Sequence, residues 1–153
     1  MLNIDAAGSS LPDQASGLLS VHRDRIANAA NLAALLFLGM KDVNWVGFYF
    51  RQGDELVLGP VQGKPACVVI PMGRGVCGTA AATRQVQRVA QVHEFDGHIA
   101  CDTNSVSEMV IPLLRHGEII GVLDIDSPLP DRFQPEDQAV LEAVARIYLD
   151  SID

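Results

Sequence analysis

No run of apolar residues in this 153-residue chain approaches the roughly 18 that a membrane-spanning helix needs. The opening stretch MLNIDAAGSSLPDQ lacks a basic segment followed by an apolar one, so it does not resemble a secretory leader, and a cytoplasmic location is the expectation. Basic charge is scarce as well: 11 Lys and Arg stand against 19 Asp and Glu, a formal charge of -8. That balance repels phosphate backbones and offers no basic stripe, which argues against nucleic acid as a partner. Internal repeats and low-complexity tracts are absent too.

Cysteine is nearly absent, with only Cys67, Cys77 and Cys101, and no C-x-x-C motif occurs. An odd number of thiols in a reducing compartment argues against a permanent disulfide framework. Their spacing supplies no close pair of ligands for a tetrahedral zinc site, so no metal is expected. A thioredoxin-like active site fails for want of its motif. Two readings stay open: three packed thiols, or a pair that the fold brings together to form and break a disulfide. Cys101 is the unusual one, because GHIACDTNSVSE is a polar, turn-forming stretch, whereas an inert cysteine is usually a small buried hydrophobe.

What is present is the composition of one globular domain, 48% apolar and 20% charged. Residues 1–11 have no periodicity and are expected to be a flexible N-terminus, leaving 12–153 as the folded domain. Apolar residues at helical spacing predict a helix from Asp13 to Gly39, broken near Ser20. VNWVGFYF and LVLGPVQG, separated by a turn, predict a hairpin, and ACVVIPM a further short strand carrying Cys67. GRGVCGTAAATRQ places Cys77 on a glycine loop that runs into a short helix, and QRVA is a weaker strand. Residues 91–106 form a long loop, SEMVIPLLRHGEIIGVLDIDS two strands turning at His116 and Gly117, and FQPEDQAVLEAVARIYLDSI a closing helix. The result is an α+β domain: a central antiparallel sheet with the N- and C-terminal helices packed on one face.

Strand alternation puts Asp124 and Asp126 on one face and Leu123 and Ile125 on the other. Buried, such an acidic pair needs a cation or donors; facing water, it needs nothing. Glu108, just ahead of MVIPLL, has the same two readings. If all three acids share a pocket, repulsion raises at least one carboxyl pKa and makes it a proton donor near neutral pH. Trp45 and Tyr49, four apart on one strand, share a face as core or as the wall of a ligand pocket. His93 and His98 are read as loop residues without a catalytic part.

Five blocks in order, NWVGFYF, LVLGPVQGKPACV, IPMGRGVCGTAAAT, HIACDTNSVSE and GVLDIDSP, resemble the free methionine-(R)-sulfoxide reductases, which are single GAF domains. The similarity runs from about Asp42 to Asp137 and includes all three cysteine positions. The resemblance implies that Cys101 is the catalytic cysteine, that Cys67 resolves its oxidised form, and that Cys77 can join disulfide exchange. It implies that Trp45, Tyr49, Glu108, Asp124 and Asp126 line the substrate pocket. The implied reaction is reduction of free methionine (R)-sulfoxide through a Cys101 sulfenic acid and a Cys67–Cys101 disulfide. No bound cofactor is implied; thioredoxin is the external reductant, and pairs of chains can assemble as homodimers. The alternative is a non-catalytic GAF sensor of small molecules. Sensors are usually joined to an output domain, and a chain that stops soon after its last helix is expected to be an enzyme.

Overall fold

A computed structural model describes residues 10–99 and 104–153. The expected flexible N-terminus therefore falls almost wholly outside the described residues, as does Cys101. The first helical region is two helices, α1 (Leu11–Leu19) and α2 (Arg25–Gly39). Each has a side-chain cap: Ser10 Oγ accepts from Asp13 N at 3.2 Å, and the Asp24 carboxylate accepts from Ala27 N at 2.8 Å. The predicted break at Ser20 is the link between them. Buried Asn28 stitches that link to the end of the chain, its amide donating to His22 O at 2.8 Å and Ser151 Oγ at 3.0 Å.

Among the described residues six strands follow: β1 (Trp45–Gln52), β2 (Glu55–Gln62), β3 (Val69–Pro71), β4 (Gln87–Val89), β5 (Ser107–Arg115) and β6 (Glu118–Ser127). They form one antiparallel sheet in the order β3-β2-β1-β6-β5-β4. Helix α3 (Gly75–Thr83) interrupts the series between β3 and β4, and α4 (Pro135–Ser151) closes the chain. The β5–β6 turn has positive φ at both His116 and Gly117, the backbone that matches the twist of a two-residue hairpin. Helix α4 begins with Pro135 and a reciprocal cap between Gln134 and Asp137.

Period-two alternation divides the sheet into two apolar faces. On one, Phe48, Met109, Ile111, Leu113, Leu123 and Ile125 pack against α1, α2 and α4. This is the predicted arrangement of terminal helices on a single face. On the other, Trp45, Tyr49, Leu56, Ile70, Val110 and Val122 pack against α3. Both faces of β1 and β6 are thus covered, so their residues read as continuous apolar runs. No helix among the described residues is long and apolar enough to cross a membrane.

Leu123 is fully buried at the centre of the helix-covered face. Leu123→Ala lowers the unfolding free energy by about 2–5 kcal/mol, read as a fall in the urea midpoint at constant slope. Leu38→Ala, at a solvent-facing position of α2, changes it by less than about 0.5 kcal/mol.

Candidate active site

Three adjacent central strands bring the acidic residues into register. Glu108 on β5 lies opposite Asp126 on β6, which lies opposite Trp45 on β1. In the next row, two residues along, Val110 faces Asp124, which faces Gly47. Because side chains two apart share a face, Glu108, Asp124, Asp126, Trp45 and Tyr49 all project to the α3 side of the sheet. All five line one cavity, together with Cys77 from the first turn of α3. The alternative that Asp124 faces water is excluded, since it is buried, and Glu108 is buried beside it. Trp45 and Tyr49 are both core and wall: buried, stacked at 6.1 Å, and turned to the cavity.

Two cysteines sit on different elements from those predicted. The short strand is only Val69–Pro71, and half-buried Cys67 lies on the loop before it. Its carbonyl accepts from the Tyr49 hydroxyl at 2.9 Å, so it is engaged outside the sheet ladder. Cys67 is disulfide-bonded, whereas Cys77 is a free thiol. Cys77 is on α3 and not on a glycine loop: Gly73 and Gly75 take positive φ to make the bend, and the helix already begins at Gly75. The Cys77 thiol donates to Glu108 Oε2 across 4.0 Å.

Burial dominates the electrostatics. It pushes the Glu108 carboxyl well above the usual carboxylate range, with the charge of Asp124 adding to the effect. The Asp124 carboxyl is raised to about 8, again chiefly by burial and then by the charge of Asp126. Burial followed by the charge of Asp124 likewise raises the Cys77 thiol, and the same two causes raise the Tyr49 hydroxyl. Near neutral pH the site therefore stores protons, and it favours a cationic guest only as its carboxyls ionise. Asp124 Oδ1 and Ser105 Oγ are buried here with no hydrogen-bond partner among the described residues, which leaves them available to a ligand.

The ligating atoms of Cys77, Glu108 and Asp124 lie within 4.8 Å of one another, close enough to approach one cation. A metal there would first have to displace protons that burial holds in place. Spacing could not have revealed this grouping, because the residues come from three elements. Sequence reasoning also missed Arg74, Pro65, Ala66 and His98 as cavity residues. His98 meets His93 edge to face at 6.1 Å, and partial burial lowers its pKa. Arg74 is the middle residue of the GRG bend at the start of α3; a cation beside a helix N-terminus was the signal that could have drawn attention to it.

Residues 15–148 match the GAF domain family. Over 133 residues the chain is 54% identical to the free methionine-R-sulfoxide reductase of Escherichia coli K12, covering 86% of this chain and 81% of that protein. The structure of fRMsr of Staphylococcus aureus in complex with substrate superposes with a TM-score of 0.89 at 50% identity, over 94% of each chain. The free methionine-R-sulfoxide reductase of Neisseria meningitidis in complex with its substrate gives a TM-score of 0.93 at 38% identity. It covers 99% of this chain and 95% of that one. By sequence and by fold alike, the chain belongs to the free methionine-R-sulfoxide reductases, a family of oxidoreductases built on the GAF domain.

Proposed function

We propose that this chain reduces free methionine (R)-sulfoxide to methionine by thiol chemistry. One observation carries the reading: three carboxyl side chains and two aromatic rings meet in a cavity bordered by Pro65 and Ala66, next to Cys67. The carboxyls suit the ammonium of a free amino acid, which a peptide-linked residue lacks. Arg74 and the N-terminus of α3, on another wall, suit its carboxylate. The rings of Trp45 and Tyr49 offer apolar surface to the side chain carrying the sulfoxide.

In the proposed cycle the Cys101 thiolate attacks the sulfoxide sulfur while a carboxyl of Glu108, Asp124 or Asp126 protonates the oxygen. The hydroxyl then passes from the substrate sulfur to the Cys101 sulfur as the bond between the two sulfurs breaks, so that methionine departs and Cys101 is left as a sulfenic acid. The Cys67 thiol attacks that sulfur, closing a Cys67–Cys101 disulfide and releasing the oxygen as water. Two thiols are thereby oxidised to one disulfide as the substrate sulfur gains two electrons. A dithiol protein of the thioredoxin kind restores both thiols by exchange in the cytoplasm. Cys77, free and buried in this state, is suited to holding Glu108.

The disulfide at Cys67 favours this redox cycle over a non-catalytic sensor. The cavity, at about 50 Å³, falls short of the roughly 300 Å³ at the lower end of small-molecule sites, and we read the disulfide-bonded Cys67 as the mark of the oxidised state.

Cys101→Ser reduces turnover of free methionine (R)-sulfoxide by at least about a thousandfold, in an assay of methionine release. Adding the sulfoxide to reduced wild-type protein yields a Cys67–Cys101 peptide on mapping under non-reducing conditions. Methionine release without that peptide refutes the role of Cys67.

A pH test follows from Asp124. Its folded pKa, about 8, lies above the ordinary aspartate value of 3.8. The stabilisation from its retained proton is therefore complete below about pH 4 and is lost as pH rises toward about 8. Ligand-free Cys101→Ser protein should lose stability across that window, with a smaller slope when Asp124→Asn is added. Methionine sulfoxide should raise the melting temperature more at pH 8 than at pH 5, because its ammonium meets a more fully ionised Asp124 at the higher pH. Protection independent of pH would contradict the assignment.

A further inference from the structure

The two cavity aromatics do more than face a ligand, since each donates its one polar hydrogen to the loop that carries Cys67. Trp45 Nε1 donates to Lys64 O at 3.0 Å, and Tyr49 Oη donates to Cys67 O at 2.9 Å. The next carbonyl, Val68 O, accepts from Leu58 N at 2.9 Å, after which β3 begins. Lys64 and Pro65 are exposed, so the upstream part of the loop has little core of its own to hold it.

The backbone around the indole is shaped for this contact. Gly47, between the two aromatics on the same face of β1, leaves bare main chain on which the indole lies; a Cβ there would collide with the ring. At Gly63 φ is +128°, and a Cβ would come 2.8 Å from Trp45 Cδ1 and 2.9 Å from Asn44 O. The loop thus starts directly against the indole. Both donors keep their protons throughout the physiological range, the indole because it does not titrate and Tyr49 because burial raises its hydroxyl.

We propose that Trp45 and Tyr49 are positioning residues for Cys67: their hydrogen bonds to Lys64 O and Cys67 O hold the loop at the cavity so that its sulfur stays within reach of the oxidised partner. The inference rests on the resolving role of Cys67 given above and adds no chemical step to it. It couples the ligand cavity to the redox loop, because the rings that contact substrate also carry the loop.

The test is a single-turnover experiment on reduced protein with one equivalent of methionine (R)-sulfoxide. It follows methionine release, trapping of Cys101 sulfenic acid by dimedone, and closure of the Cys67 disulfide. In Tyr49→Phe, which keeps the ring and loses the donor, closure slows about fivefold more than methionine release, the factor carried by one net hydrogen bond. Dimedone-labelled Cys101 accumulates accordingly. Trp45→Phe removes the other donor, should act in the same direction, and carries the test alone if Tyr49→Phe does not fold. Equal slowing of release and closure in these variants would show that the rings serve only the substrate and would overturn the proposal. Wild-type protein that releases methionine without closing the disulfide would instead refute the resolving role of Cys67, and the tether with it.

Discussion

Everything distinctive about this protein follows from burying carboxyl groups on the face of a β-sheet. Charged, they would repel one another in a medium that solvates them poorly, so burial raises the affinity of Glu108 and Asp124 for protons. A site that stores protons beside thiols is suited to protonating a departing oxygen. The same site, once ionised, is suited to holding an ammonium group. One constraint therefore accounts for both the acid chemistry and the preference for a free amino acid in the proposed reaction.

The fold sustains that cost by dividing its labour between two faces. The side covered by α1, α2 and α4 contains the larger apolar cluster, with Phe48, Leu123, Ile125 and Tyr148 at its centre. Among the described residues the opposite side carries α3 over a smaller cluster, and the acids occupy one end of it. Because β1, β5 and β6 contribute to both faces, the helix-covered core fixes the register that aligns Glu108, Asp126 and Trp45. The short helix and the loops around the cavity are then free to shape its walls.

Much of this was legible in the chain. The break at Ser20, the turn at His116 and Gly117, and the shared face of Asp124 and Asp126 depend on local backbone preference and on the period of two. The elements around Cys67 and Cys77 were misjudged for a different reason. ACVVIPM is apolar enough for a longer strand, but Cys67 O accepts the distant Tyr49 hydroxyl and lies outside the ladder. GRGVCG reads as a loop by its glycines, yet the alanines that follow carry the helix back to Gly75.

The sequence alone determined the α+β class, the two hairpins and the faces on which the aromatic and acidic residues lie, because such features follow from spacings of a few residues. Family membership was also legible in the ordered blocks around the three cysteines. Only the tertiary structure decided that Glu108 meets Cys77 and Asp124, that the acids are buried, and that both cavity rings hold the Cys67 loop. Those contacts join residues up to 47 positions apart, from Cys77 to Asp124. Whether such residues meet depends on how α3 and the loops pack onto the sheet, a global result that no local spacing records.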